Sequence, residues 1–341
     1  MSLKWLIVPA LFLLAACGPD VASGSDDGNR DLKHFKLQMN SRSIEKVLGS
    51  SKFKVVFRND DGNYLALLDY TGTSVTKTVL AEGWNAFHPM FSPDGGKIAF
   101  CTAYEGAPFG SRLYVVNLEN PEEIDSLDVE SAAIPRWYVL PDGDTVITYV
   151  DYAGDNIGEK WPSSATWQVS YKGNKFGTPK KIFGRSYNGG FAYDFSFAVT
   201  GASHLYFHWA KDDEDTIIDR YNEQQVCNVS VSRDSSNLIS FLETAGDLGR
   251  ELTHDTIGVW HQYLFYEDEA GNILKAIMAP DMQVFDHVEW LPGILVQIGA
   301  LTTLEVGNLD LALIDYAQSK VYRFIHSDSV SMWHPDLWIA Q

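Results

Sequence analysis

The chain ends on half of a repeat whose other half stands near its start, and few folds accommodate that. The clearest copy of the repeat, residues 87–118, reads as a strand, the turn Ser92-Pro93-Asp94-Gly95, a second strand, a loop and a third strand. Pro93 presets one turn position and Gly95 tolerates positive φ, while the flanking runs are apolar or alternate as strands do. Weaker copies keep Pro141-Asp142-Gly143, then Asp194, then Ser232 and Asp234, then Pro292-Gly293. His334-Pro335-Asp336-Leu337-Trp338 restarts the unit and stops. The first β unit, Lys54 to Leu80, supplies three strands and lacks the opening one. Pairing the two ends closes a ring and removes the open sheet edges that invite aggregation. The predicted fold is therefore all-β: a six-bladed β-propeller closed by pairing of the C-terminal strand with the N-terminal blade. Its blades run over 52–80 plus 332–341, 84–127, 132–184, 188–223, 226–280 and 285–326.

The segment His88-Pro89-Met90-Phe91-Ser92-Pro93-Asp94-Gly95-Gly96-Lys97-Ile98-Ala99-Phe100 resembles the WD40-like repeat of TolB-type propellers. The wider pattern includes Val226-Cys227-Asn228-Val229-Ser230 and Phe285-Asp286-His287-Val288-Glu289-Trp290. It is similar to a paralogous group of bacterial lipoproteins from plant-fibre degraders. The resemblance covers about 52–341 and implies the propeller fold. It also suggests a subunit of an envelope complex, a reading weakened because the domain that precedes the TolB propeller has no counterpart here.

The first seventeen residues point to export. Lys4 is followed by an apolar run from Trp5 to Ala16, shorter than the roughly 20 residues of a membrane span. The run ends in Leu14-Ala15-Ala16-Cys17, which matches a lipobox, so residues 1–17 are expected to be a lipoprotein signal peptide with lipidation on Cys17. Gly18 in place of Asp favours, by resemblance to enterobacterial lipoproteins, the outer membrane as the site of anchoring in the cell envelope. Residues 18–51 are mostly polar and are expected to be a flexible tether, with a helical turn over Ile44 to Leu48, leaving 52–341 as the propeller. The membrane is then met through the lipid alone.

In a propeller the first strand of each blade lines the channel. Counting back from the turn residues places His334, His88, Arg136, Asn188, Asn228 and His287 at one level, in blade order. His287, His334 and His88 fall on successive blades. They either hold a divalent metal or are hydrated channel residues and turn caps. Aromatics flank this level: Trp84, Phe87, Trp137, Tyr187, Trp260, Phe285 and Trp333. Flat rings beside polar groups suit sugars or a protein hot spot, and equally suit packing between blades. Trp84, Trp137 and Trp333 join the six polar residues as the channel-lining, ligand-binding set.

Two function classes stand. One is a binding or scaffold module that presents a propeller face to a glycan or an envelope protein, expected to be a monomer. The other is a propeller enzyme, a metal-dependent lyase or hydrolase or a glycosidase, with Asp286, Glu289 and Glu82 near the channel mouth. No residue is assigned a catalytic role, and Gly-x-Ser-x-Gly does not occur. A net charge of -19 argues against nucleic acid as partner. Cys101 and Cys227 fall on blades that face each other across the channel, beyond the Cα separation of about 7 Å that a disulfide allows, and are expected as thiols.

Overall fold

The computed structural model describes residues 32–102, 111–152, 163–201, 205–212, 214–218, 226–243, 259–280, 282–303 and 307–340. Six antiparallel sheets stand around an axis. The ring closes as the repeat implies. Met332–Ile339 pairs with Phe53–Asn59, which continues to Tyr64–Tyr70 and Val75–Leu80 as blade 1. The register aligns Val55 with Leu337 and Val56 with Asp336. The closing strand is also stitched to blade 2. Asp336 Oδ2 accepts the Phe91 N–H at 2.7 Å, and the Trp338 indole donates to Pro93 O at 3.0 Å. Gly95, at φ 66°, lies against the Trp338 ring so closely that a Cβ there would sit 2.3 Å from it.

The turn aspartate earns its place in the repeat. The carboxylates of Asp94, Asp142, Asp194 and Asp234 each accept the N–H two residues on at 3.0 Å, the local bond that makes Asp a turn residue. Each blade buries apolar side chains against its neighbours, with Phe53, Phe100, Phe197, Phe241 and Trp290 almost wholly enclosed. Cys101 and Cys227 are free, buried thiols.

Two expectations need correction. The tether of 18–51 does not extend as far as predicted. Phe35–Leu37 adds a fifth strand to blade 6, pairing with Ile325–Ser327. Ser41–Leu48 is a helix, capped by Asn40, which accepts the Ser43 N–H, and ended by Gly49 at φ 73°. Ile44, Val47 and Leu48 sit in one cluster with Phe53 of blade 1 and Leu313 and Phe324 of blade 6, so the helix packs over the seam where the ring closes. The signal peptide, Cys17 and residues up to 31 lie outside the described residues. Among the described residues no helix is long and apolar enough to cross a membrane.

The second correction concerns the channel strands. In five blades the innermost strand carries one extra residue relative to its partner, a β-bulge. The bulged residues are His88, Ile134, Asn228, His287 and His334, with φ between 46° and 52°. Asn188 holds the matching place in blade 4, counting from Phe191 opposite Ala198 as His88 counts from Phe91 opposite Ile98. Counting back from Pro141 predicts Arg136 at this level. Ile134 occupies it instead, because the blade 3 hairpin is longer: Trp137 pairs with Ile147, where Phe91 pairs with Ile98. Arg136 belongs one level deeper.

Candidate functional site

The bulges set two levels of side chains along the axis. At the outer level the three histidines meet as expected. His334 lies between its neighbours, with ring centroids 3.9 Å from His88 at a tilt of 35° and 3.9 Å from His287 at 84°. They touch by ring faces and edges, and among the described residues no three His, Cys, Asp or Glu side chains are grouped to hold a metal ion. Burial pushes the His334 imidazole well below the ordinary histidine range, and the neighbouring His287, His88 and Arg58 push the same way, so this ring is neutral at pH 7. Asp286 Oδ1 lies 2.8 Å from His287 Nδ1. Burial acts to raise Asp286, but His287, His261 and Asn308 outweigh it and hold the carboxyl below its usual range.

The other predicted residues scatter. Asn188 turns its amide oxygen to the Thr200 hydroxyl at 2.6 Å, and Asn228 remains half-buried at its bulge. Trp333 is half-buried and leans on His287, with centroids 5.2 Å apart. Trp84 is 40% exposed and edges onto Tyr114. Phe87, Tyr187 and Phe285 are buried, which makes them packing groups, Trp137 is buried but lines the cavity at the other mouth, and Trp260 remains exposed. Glu82 is exposed in the link between blades 1 and 2.

The deeper level is charged. It comprises Met90, Arg136, Gly190, Ser230, Glu289 and Asp336, each two residues beyond the outer level. Arg136 of blade 3 reaches across the axis to Glu289 of blade 6 and donates two bonds, at 2.7 and 2.8 Å. Ser230 adds a third to Glu289 at 2.8 Å, and Arg136 Nε donates to Asn188 O at 2.9 Å. Gly190 leaves room for this arm: a Cβ there would meet Tyr138 Oη at 2.7 Å and Arg136 Cδ at 3.5 Å. Burial acts to raise Glu289, and Arg136, Arg233 and Ser230 bring it below the usual carboxylate range. A fork-to-fork pair of this kind is both strong and directional. It bars the channel. On its histidine side there remains a space of only about 20 Å³, between His88, His287, His334, Arg136 and Glu289.

Beyond the bar the channel opens. A cavity of about 480 Å³ lies at the mouth where the innermost strands turn back. All six blades reach it: Trp338 and Ile339, Ser92 and Pro93, Trp137 and Tyr138, Tyr193 and Phe195, Arg233, and Pro292 to Ile294. The helix end, Leu48 to Ser50, forms part of its rim. Tyr193 is 62% exposed, on a turn fixed by its N–H bonding to Asn237 Oδ1 at 3.1 Å. At the floor, Asp336 lines both this cavity and the small space behind the bar. Its Oδ1 is buried without a hydrogen-bond partner. Burial raises its carboxyl to about 6, with Arg233 and the Phe91 N–H pulling down and Glu289 pushing up. Arg233 is half-buried and donates to Met90 Sδ at 3.1 Å. Of the predicted ligand-binding set only Trp137 lines this mouth, because sequence reasoning followed the starts of the strands, while the cavity is built from their ends.

The fold and cavity define a six-bladed β-propeller with an axial pocket on the face of the strand-one to strand-two turns. The fold is similar to a chain of a nidogen/laminin complex, at 10% identity over 85% of this chain and 99% of that one, with a TM-score of 0.55. It is similar also to Kuenenia stuttgartiensis hydrazine synthase, at 10% identity over 84% of this chain and 46% of that one, TM-score 0.54. A protein of unknown function from Bacteroides caccae gives 8% identity over 82% and 97%, TM-score 0.50. Identities this low show the fold alone. No family model matches the chain, and no curated protein matches it.

Proposed function

We propose that this chain is a binding module of the cell envelope whose propeller takes a glycan in the axial cavity at the turn mouth. One observation carries the reading: turns from all six blades converge on a single aromatic-lined space of about 480 Å³, while the histidine end is barred. That volume falls in the range of small-molecule sites, roughly 300–1,000 Å³, where apolar walls and a few polar groups set orientation. Aromatic faces beside Arg233 and Asp336 suit sugar rings, whose C–H faces stack while their hydroxyls bond. An envelope protein as ligand would use the same face, but a recessed cavity suits a saccharide end better than a flat protein surface.

The enzyme alternative has less behind it. Glu289 is held by Arg136 and Asp286 lies against His287, both below the usual carboxylate range. Asp336 is raised to about 6, as a general acid requires, but its neighbour Glu289 is tied up in the Arg136 pair, which leaves no free carboxylate among the described residues of the floor to work with it. Anchoring completes the proposal: lipid on Cys17 holds the propeller to a membrane, by resemblance the outer one, through the expected tether of 18–51 less the folded strap of Phe35 to Leu48, and the domain acts as a monomer of TolB-like design. Replacing Cys17→Ser should move the protein from the membrane fraction to the soluble one; continued membrane association would overturn the anchor. A glycan array with purified residues 18–341, repeated with Tyr193→Ala, tests the site. Binding that weakens in the variant is expected, and no glycan binding at all would sink the reading.

A further inference from the structure

The floor of the cavity narrows the ligand class, on the reading that the cavity binds a glycan. Among the described residues two guanidinium groups line the channel at this floor, Arg136 and Arg233, and they differ in kind. Arg136 is fully engaged with Glu289, Ser230's acceptor, and with Asn188 O. Arg233 faces the cavity, is half-buried, and has as its neighbour a thioether sulfur, a weak acceptor. Among the described residues no carboxylate forms an ion pair with it. The buried Glu289 and Asp336 both feel the Arg233 charge, but neither is bonded to it, so its planar fork has no oxyanion in its donor plane. Beside it stands the Asp336 carboxyl, 2% exposed, with one oxygen fixed by the Phe91 N–H and the other without a partner. The floor thus offers a fork of donors next to one acceptor, under walls of Tyr138, Tyr193, Phe195 and Trp338.

We propose that the cavity takes the end of an acidic saccharide, a sugar ring carrying a carboxylate, with Arg233 pairing the carboxylate and Asp336 accepting from a ring hydroxyl. A singly charged planar carboxylate matches the guanidinium fork. A phosphate ester carries more charge and would lie against Asp336 and Glu289. A neutral sugar would satisfy Asp336 and leave Arg233 without its anion. The proposal is independent of the net charge of -19, since fields of surface acids are screened beyond about 8–10 Å at physiological salt, while Arg233 acts at contact.

The test is calorimetric titration of purified residues 18–341 with a trisaccharide of hexuronic acid and with the same trisaccharide after reduction of its carboxylates to alcohols. The acid should bind about 10- to 100-fold more tightly than the reduced form, the usual worth of a hydrogen bond to a charged group. Arg233→Met should erase that preference by weakening the acid alone, and Arg233→Lys should restore part of it. Tyr193→Ala should weaken both ligands together. Because the two ligands are compared on the unaltered protein, the outcome does not depend on a variant folding. Equal binding of acid and reduced forms, with both lost in Tyr193→Ala, would overturn the acidic class and leave the glycan site standing. No binding of either, nor of neutral glycans on the array, would overturn both.

Discussion

At the scale of single residues, the axis buries the charged groups of Arg136, Glu289 and Asp336, and each has a testable cost. The pKa of Asp336 rises from 3.8 in the unfolded chain to about 6 in the fold. For an acid this sign means that the folded state binds the proton more tightly. The contribution is fully present below about pH 4 and is lost as pH rises through 6. Asp336→Asn keeps an acceptor for the Phe91 N–H without the charge. It should stabilise the domain by about 1–3 kcal/mol at pH 7.5 and by nothing at pH 4. Urea unfolding of both proteins at the two pH values checks this, and an equal gain at both would mean that the carboxyl does not titrate there. Arg136 and Glu289 behave oppositely, as a satisfied pair. Arg136→Met leaves Glu289 buried and unpaired and should cost about 3–5 kcal/mol, whereas Arg136→Met with Glu289→Leu should recover most of it. Equal unfolding midpoints for the single and double variants would deny the coupling. Of this charged level the sequence reading named Arg136, Glu289 and Asp336 but not their grouping. Arg136 was placed one level too far out, though Ile134-Pro135 matches His88-Pro89 and His334-Pro335 and could have marked the bulge. Proline in the strand was a better ruler than proline in the turn, since hairpins vary in length and the bulge does not.

At the scale of elements, the turns were legible and the strap of Phe35 to Leu48 only in part, as a helical turn over Ile44 to Leu48. An aspartate that bonds its own turn survives even in degenerate copies, so Asp194 and Asp234 still align blades that share little else. The strand Phe35–Leu37 and the docking of the helix were hidden by the polar composition of this segment, because a helix of eight residues needs only one buried stripe. Its signals were nevertheless present: Asn40 and Gly49 as caps around Ile44, Val47 and Leu48, at spacings of three and four. An isolated helix this short is marginal in water, so it exists because blades 1 and 6 give its apolar face somewhere to go. Ile44 is fully buried, and Ile44→Ala should destabilise the whole propeller by about 2–5 kcal/mol. Lys46 is exposed in the last turn of the same helix; Lys46→Ala is the surface control. A loss for Ile44→Ala no larger than for the control, in thermal unfolding, would show that the strap is an accessory and that the seam holds without it.

At the scale of the molecule, stability rests on the closure of the ring, because without the closing strand the edge of Phe53–Asn59 in blade 1 lies open. Removing residues 333–341 takes away the strand that pairs with Phe53–Arg58. It also removes Leu337, which is 1% exposed, the bond from Asp336 to the Phe91 N–H, the Trp338 indole against Pro93, and the central ring of the histidine stack. Burying one side chain such as Leu337 is worth roughly 1.5–3 kcal/mol, and each lost ladder bond about 0.5–1.5 kcal/mol. A domain has only about 5–15 kcal/mol in total. The same cut strips the wall of the axial cavity formed by Leu337 to Ala340, so binding and stability should fail together. The truncated protein should therefore unfold at a markedly lower temperature, and should aggregate through the exposed edge of blade 1, since an unpaired strand is a template for another chain. Thermal unfolding followed by light scattering separates the two effects. A truncated protein with the midpoint of the intact one would mean that the blades hold together without the closing strand, and the ring would then owe its stability to the interfaces between blades alone.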